Sequence, residues 1–517
     1  MNTKENLFAP EYEIIKKIRA CVGKQETLYG HSLIDIIDRE LAWELMNVND
    51  QGNEITVEQK SLSNLNRAKS QLRRVKSKLG QLISKKEVSV KPKPSVSKSV
   101  ETITSFHNKY IFCATVDNNL KTFSSNIINL YNRGEEVVVF APLSSKSWPS
   151  RQELQKKGIE FVLLPNEQEV KLTLESNQEK IITSFIQKLS MCLENPRLDI
   201  KKKSRQKLKL FINQNLRNVL VYRIGLANYL YQRFKNQIPK AVISGRPKRT
   251  IPLSMLFAAR KAGITTVFIS HSLWFKRDAK YLPALYDLKM FDHICVFSKN
   301  CHNCIRKYNN TSEVHIFGWP QRQPIGLKKA EKLSDDLSRL SVLYPLQKDY
   351  SFFLDLCRVF YEVGIDLVIK CHPSTSEKDK EELANAIPLT YQENISIYHH
   401  TEISLQEAVM QSDFVIGNLS NASIEAIVIG RPIIGYLSAN EREILKFRPH
   451  SITSADVPGL MAWSLEELRL NLEAIKQDEI ELNQLYTEQI SFIKNRFNNK
   501  LGEDSVKEIS SILYEQI

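Results

Sequence analysis

Two short stretches in the C-terminal half place chemically active side chains where buried strands are predicted to end. In the first, an apolar run beginning at Leu367 meets the tetrapeptide KCHP, Lys370–Pro373. Proline has no N–H and therefore stops strand pairing. A lysine and an imidazole at this point could bind a phosphate oxygen, or the imidazole of His372 could protonate a leaving group. The alternative is a histidine whose hydrogen bonds are satisfied by the backbone at a strand end.

The second stretch is NLSNASIE, which follows a strand predicted to end at Gly417. A helix is predicted to open near Ser423, and its free N–H groups and positive dipole end would form an anion site. No Glu stands three residues after Ser420, so a capping box does not occupy those donors. The alternative is a simple serine N-cap. The candidate nucleotide ligands here are Ser420, Asn421, Ser423 and, for the hydroxyls of a ribose, Glu425.

The N-terminal half offers a base and a cationic cluster, again after predicted strands. Asp117 follows YIFCATV and is the best candidate base, although an N-cap or Asx-turn role explains it equally simply. His271 follows TTVFIS and is a second candidate, as base or phosphate ligand. Arg246, Lys248 and Arg249 follow KAVIS and could bind an anionic acceptor, unless they are only solvated charges.

These residues need a sheet to position them, and the chain alternates apolar strands with helical segments from residue 109 onward. Such alternation predicts α/β domains with parallel sheets covered by helices on both faces. We expect two doubly wound, Rossmann-like domains whose strand ends meet at a cleft, because ligands bind outside those carboxyl ends. The predicted boundaries are a helical extension with a basic linker over 1–105, a first domain over 106–325 and a second over 326–517.

The N-terminal extension has its own pattern. Apolar residues separated alternately by three and four positions form a seam from Leu65 to Leu82, and the stretch Lys60–Lys86 carries nine basic residues and no acidic one. A helix packed on the protein body, a homodimer through 60–86, and attachment to an anionic membrane surface are all compatible with this pattern.

Composition narrows the class of protein. The net charge of +14 favours an anionic partner, but basic residues are not interleaved with stacking aromatics, which disfavours nucleic-acid binding. The eight scattered cysteines are typical of reduced thiols rather than of a disulfide framework. No signal peptide and no apolar run of roughly 20 residues is visible. We therefore expect a cytoplasmic protein, with peripheral attachment to the inner face of the cell membrane as an open alternative.

A family resemblance covers about residues 240–437. A strand ending K-x-H-P, then a serine-containing loop, Glu-Ala and G-x-P-I-I, resembles the C-terminal half of bacterial GT-B-fold glycosyltransferases. The resemblance is closest to enzymes of capsule and lipooligosaccharide synthesis, including sialyltransferases and polysialyltransferases with HP and Ser motifs. It implies that Lys370 and His372 face the donor phosphate, that Ser420 and Ser423 bind it, and that Glu425 holds the ribose. The stretch FISHSLWF is similar to the segment that opens a cleft loop in capsule transferases.

The function implied is transfer of a sugar, sialic acid or Kdo from a CMP donor, to a bacterial surface polysaccharide or lipid-linked precursor. No DxD stands in the cleft-loop positions, so the chemistry is predicted to be metal-independent and to need no cofactor. Two alternatives stay open: a CDP-glycerol-type polyol-phosphate transferase, and a non-catalytic glycan-binding protein of the same fold.

Overall fold

The structure is a computed structural model that describes residues 105–319 and 340–515, apart from short gaps and the longer gaps 246–249, 271–287 and 443–453. A few residues between 17 and 41 are also described. The predicted seam and homodimer segment at 60–86 lies outside the described residues. The chain divides into two compact units. One comprises Phe106–Ser176 and Val221–Ile517, and the other Asn177–Leu220 with the described part of Ala9–Ser105.

The larger unit contains two wholly parallel sheets. The strands of the first sheet are β1 Tyr110–Cys113, β2 Val137–Ala141, β3 Glu160–Leu163, β4 Ala241–Ser244, β5 Thr265–Ile269, β6 His293–Val296 and β7 Glu313–Ile316. Those of the second are β8 Ser341–Leu346, β9 Asp366–Cys371, β10 Ile395–Tyr398, β11 Phe414–Gly417, β12 Ile433–Tyr436 and β13 Met461–Ala462. The spatial orders are β3-β2-β1-β4-β5-β6-β7 and β10-β9-β8-β11-β12-β13. Both are doubly wound orders, and they confirm the predicted fold class.

Helices connect these strands, as right-handed parallel crossovers require. In the first half they are α1 Asp117–Asn132, α2 Pro149–Lys156, α3 Ser176–Glu194, α4 Lys202–Phe211, α5 Arg217–Asn236, α6 Thr250–Lys261 and α7 Lys299–Tyr308. In the second half they are α8 Phe353–Val363, α9 Glu377–Ala386, α10 Leu405–Met410, α11 Asn421–Ile429, α12 Leu465–Lys476, α13 Leu482–Arg496 and α14 Glu503–Glu515. None of the helices in the described parts of the chain has the length and apolar character needed to cross a membrane.

The last two helices of the chain pack against different sheets. Helix α13 packs against α11 of the second sheet, whereas α14 packs against α1 of the first. The hydroxyl of Tyr110 on β1 donates to the carbonyl oxygen of Leu513 on α14 at 2.8 Å. A single apolar core therefore includes residues of both sheets and of these last two helices.

The smaller unit is largely helical in its described part, with α3, α4 and a short π-helical turn, Ile212–Leu216, before α5. It also contains a short antiparallel pair of strands, Thr27–Leu28 and His31–Ser32. Cys21 and Cys192 are disulfide-bonded in this unit, while the other six cysteines are buried and not part of a disulfide. The expectation that all eight cysteines are reduced is therefore wrong for this pair. Their Cα atoms lie 6.0 Å apart across 171 residues of sequence, a proximity that only tertiary packing creates.

Candidate functional site

Strand β9 carries the KCHP stretch to the carboxyl edge of the second sheet. Its side chains alternate between half-buried and buried positions, with Val368 and Lys370 half-buried. The sequence predicts a buried strand here, and this is correct for one face only, because the other face is only partly covered. The Nζ atom of Lys370 donates to the carbonyl oxygen of Ile403 at 2.6 Å. His372 is half-buried and follows the strand directly.

A buried histidine from the next strand fixes the loop after His372. His399 follows β10 and is 5% exposed. Its Nε2 lies 2.9 Å from the carbonyl oxygen of Thr375, and because a carbonyl only accepts, Nε2 carries the hydrogen. The Thr375 hydroxyl lies 3.2 Å from that of Tyr350. His399 is thus a positioning residue that sequence reasoning missed, although the pair of histidines ending ISIYHH was a visible signal.

The adjacent His400 is the second residue that sequence reasoning missed. Its ring lies 4.0 Å from that of His399, centroid to centroid. Its Nδ1 is buried and has no hydrogen-bond partner among the described residues. Burial lowers the pKa of His400 below its ordinary value. The neighbouring His399 and the positive charges of Lys370 and Lys121 act in the same direction. The nearby Glu377 carboxylate acts in the opposite direction, but the net effect disfavours the protonated imidazole.

This lowered pKa predicts a pH dependence of folding. Because the folded state disfavours protonation of His400, the unfolded chain binds its proton first, at about pH 6.5. Stability is thus expected to fall as pH decreases through that value. His315, whose pKa burial also lowers, contributes in the same direction. Urea unfolding of the wild type and His400→Gln at pH 7.5, 6.5 and 5.5 measures this, and the variant is expected to lose less stability between the extremes. Identical pH slopes for the two proteins would show that His400 does not titrate as inferred.

The second sheet reverses its winding between β8 and β11, and a buried asparagine bridges the two strand ends there. Asn418, fully buried, follows β11, and its Nδ2 donates to the carbonyl oxygen of Pro345 on β8 at 2.8 Å. Its Oδ1 accepts from the backbone N–H of Ser420 at 2.8 Å. These two bonds set the path of the loop that leads into α11. In open α/β sheets this reversal point is where ligands bind.

The serines of this loop have different roles from one another. Ser423 is fully buried, accepts from the N–H of Asn418 at 2.9 Å and donates to its carbonyl oxygen at 3.3 Å. Its hydroxyl therefore closes the turn between strand and helix and is not exposed to a ligand. Ser420 is the N-cap of α11 and accepts from the N–H of Ala422 at 3.2 Å.

Helix α11 begins at Asn421, two residues earlier than predicted. Within the described part of the chain, nothing accepts from the N–H of Asn421. This leading amide and the positive end of the helix are potential donors for an anion. Glu425 lies half-buried one turn into the helix, and its contact with a ribose stays a prediction.

In the first sheet, Asp117 lies at the equivalent reversal point, between β1 and β4. It is the first residue of α1, and its side chain is 21% exposed. Oδ2 lies 3.7 Å from Nζ of Lys121, one turn along the helix. Oδ1 is buried and has no partner among the described residues. A carboxylate with an unused oxygen at a strand end can accept a proton from a hydroxyl group.

The other candidate site residues of the first domain lie in the segments 246–249 and 271–287, which the structure does not describe. His271 and the cationic cluster Arg246, Lys248 and Arg249 lie outside the described residues. Their roles stay predictions from the sequence.

Positive charges from elements of both sheets act on His400. Lys121 belongs to α1 of the first sheet and Lys370 to β9 of the second, yet both lie near enough to His400 to lower its pKa. Lys121 also lies 3.7 Å from the carboxylate of Asp117. Ammonium groups can bind a phosphate, and a carboxylate can remove a proton.

Comparisons with known proteins give similarity only at the level of overall architecture. No protein-family model and no curated relative matches the sequence. Among solved structures, the chain is similar to the lipopolysaccharide outer core galactosyltransferase WaaB, with 13% identity over 79% of this chain and 100% of that one and a TM-score of 0.44. A glycosyltransferase from Rickettsia africae has 11% identity over 80% of this chain and 100% of its own, with a TM-score of 0.48.

A third similar structure is a putative UDP-N-acetylglucosamine 2-epimerase from Listeria monocytogenes, with 12% identity over 79% of this chain and 96% of its own and a TM-score of 0.48. The fold class rests on the sheet topology, and the function has to be inferred from the side chains at the carboxyl edges.

Proposed function

We propose that this protein is a GT-B-type glycosyltransferase that moves a sugar from a nucleotide donor to a hydroxyl group of an acceptor. One observation carries the proposal: each of the two doubly wound sheets has polar residues at its reversal point, Asp117 in the first and Asn418 with Ser420 in the second. The carboxyl ends of such sheets are where ligands bind, and the positive charge of Lys370 at the end of β9 is suited to the phosphates of a nucleotide donor. The two edges would hold donor and acceptor on opposite sides of the reacting carbon.

The second sheet would bind the donor. Lys370 and His372 would donate to its phosphate oxygens, joined by the N–H of Asn421 at the start of α11. Glu425 would accept from the ribose hydroxyls. Ser420 would contribute by capping the N-terminus of α11. Ser423 would contribute by holding the loop in place through its hydrogen bonds to Asn418.

The first sheet would bring the acceptor and the base. The acceptor hydroxyl attacks the anomeric carbon, the bond from that carbon to the donor phosphate oxygen breaks, and the hydroxyl proton passes to Asp117. The nucleotide leaves with the electron pair of the broken bond. Lys370 and the α11 N-terminus stabilise the negative charge that develops on it, which is the part of the barrier that fixed charges lower most. No metal ion is needed in this scheme.

The finer assignment follows the sequence resemblance. We propose a CMP-linked donor carrying sialic acid or Kdo, and an acceptor that is a bacterial surface polysaccharide or its lipid-linked precursor. The expected setting is the cytoplasm, on or near the inner face of the membrane where such precursors are built. The basic segment 60–86 would supply that attachment.

A nucleotide panel tests the donor class. The full chain is heated with CMP, CDP, UDP or GDP, and release of nucleotide from CMP-, CDP- and UDP-linked donors is measured in parallel. CMP is expected to raise the melting temperature most, because a ligand that binds only the folded state stabilises it. Turnover of CDP-glycerol alone would replace the sugar donor by a polyol-phosphate donor. If no nucleotide of the panel binds and no donor is turned over, the enzyme proposal is overturned.

Lys370→Met is expected to weaken binding of the preferred nucleotide roughly 10- to 100-fold. A hydrogen bond to a charged group contributes about 1.5–3 kcal/mol, which corresponds to that range. Isothermal titration calorimetry measures the dissociation constant. The same variant should raise the pKa of His400, measured by NMR, since it removes one of the charges that lower it.

Lys378→Met is the matched control, because this lysine is 74% exposed on α9 and pairs only with Glu382 in the described structure. It removes the same charge from the protein without touching the carboxyl edge. If both variants bind the nucleotide equally well, Lys370 does not contact the phosphate.

A further inference from the structure

Three potential metal ligands meet on the first sheet, outside the proposed donor and acceptor regions. They are His293, Glu313 and His315, each offering one ligand atom, and these atoms all lie within 4.8 Å of one another. His293 begins β6 and Glu313 begins β7. The cluster is therefore near the amino ends of the strands, whereas Asp117 and Lys370 belong to the carboxyl ends.

Strand register brings the three together. Strands β6 and β7 are parallel neighbours in which His293 is aligned with Glu313 and Cys295 with His315. Side chains alternate along a strand and aligned partners share a face. All three side chains thus project from one face of the sheet, and β7 is its edge strand.

The ligand atoms form a compact triangle. Nδ1 of His293 lies 3.2 Å from Nε2 of His315, and Oε2 of Glu313 lies 3.4 Å from the first and 3.8 Å from the second. When Zn²⁺ is bound tetrahedrally with bonds of about 2.0–2.1 Å, neighbouring ligand atoms are about 3.3–3.4 Å apart. Two of the three observed distances are within about 0.2 Å of that separation, and the third, 3.8 Å, involves the exposed Glu313 side chain.

Burial and charge also suit a cation. The side chains of His293 and His315 are 12% and 17% exposed, so two nitrogen donors are held rigidly, whereas that of Glu313 is 69% exposed and free to adjust. The carboxylate of Glu508 on α14 lies near His315 as well, although Lys500 pairs with it at 2.8 Å.

We propose that His293, Glu313 and His315 bind a divalent transition-metal ion, Zn²⁺ by preference, which links the edge strand β7 to β6. Two imidazoles and one carboxylate are a donor set that suits Zn²⁺, with the fourth position open to water. The site is separate from the proposed sugar transfer. Removing the ion should destabilise the fold without changing nucleotide affinity.

The test uses the full chain, stripped with a chelator and titrated with Zn²⁺ in a calorimeter. Wild type is expected to bind one more equivalent of Zn²⁺ than His315→Ala, and only wild type should gain melting temperature from it. Co²⁺ in place of Zn²⁺ should give the visible absorption of a four-coordinate ion in wild type alone. Should His315→Ala fail to fold, Glu313→Gln, at an exposed position, is expected to weaken this equivalent by roughly 10- to 100-fold or more.

His302→Ala is the matched control. This nearby histidine on α7 lies outside the triangle, so its loss should leave the extra equivalent and the Co²⁺ spectrum unchanged. Equal Zn²⁺ stoichiometry and affinity in wild type, His315→Ala and Glu313→Gln would overturn the proposal and leave the two imidazoles as a hydrogen-bonded pair.

Discussion

Gly318→Ala is expected to lower the free energy of unfolding by about 3–5 kcal/mol. Gly318 follows β7 with a φ of 84°, and a Cβ added there would overlap the carbonyl oxygen of Lys500 and lie 2.6 Å from its Cβ. That carbonyl cannot retreat cheaply, because it accepts from the N–H of Trp319 at 3.0 Å, while the Trp319 carbonyl accepts from Gly502 at 2.7 Å. Left-handed strain of about 1–2 kcal/mol and the loss of one or two hydrogen bonds add up to this range.

Gly134→Ala separates the two contributions to that loss. Gly134 has nearly the same φ, 85°, but a Cβ there would have no atom within 4 Å. Only the backbone strain then applies, so the expected loss is about 1–2 kcal/mol. Urea unfolding of both variants measures the difference. Equal losses would mean that the contact between Gly318 and Lys500 does not hold the C-terminal segment to the first sheet.

Asp117→Asn is expected to lower kcat of the proposed transfer by about 10²- to 10⁴-fold, the usual contribution of a general base. The amide has the size of the carboxylate and can still stand at the start of α1, so folding and nucleotide affinity should be retained. Steady-state kinetics with the preferred donor give kcat, and calorimetry gives the affinity. A loss confined to kcat would assign Asp117 to the chemical step.

Glu136→Gln is the control for this variant. Glu136 is 69% exposed and precedes β2, at the amino end of the same sheet. The Glu136→Gln substitution removes one negative charge from the opposite edge of the sheet. The kcat of this variant should therefore stay within about threefold of wild type, as for a surface substitution. If kcat of Asp117→Asn is also within about threefold of wild type, Asp117 is not the base.

The strands were predictable because their local chemistry is unambiguous. Runs such as VVVFA and FVIG have no polar face, and only a strand buried on both sides accommodates them. The positions of His372, Asn418 and Asp117 after such strands followed directly, since Pro373, the polar loop and Gly417 mark the ends. The doubly wound order then placed them at carboxyl edges.

The detailed roles of the site residues were less predictable. Ser420 and Ser423 look equivalent in the sequence, but one caps a helix and the other is buried against Asn418. The difference depends on where the helix begins. The loop geometry places that start at Asn421, two residues before the predicted one. His399 and His400 were overlooked because their interactions involve residues distant in sequence. His399 hydrogen-bonds the carbonyl oxygen of Thr375, and Lys121 contributes to the lowered pKa of His400.

By itself, the sequence determined the class of architecture: two wound parallel sheets with polar side chains after their strands. Hydrophobic periodicity and chain breakers act locally, and local patterns are sufficient for that. Tertiary structure alone decided that Cys21 meets Cys192, that α14 returns to the first sheet, and that His293, Glu313 and His315 share a face. Register and packing set these contacts, and they depend on residues far apart along the chain.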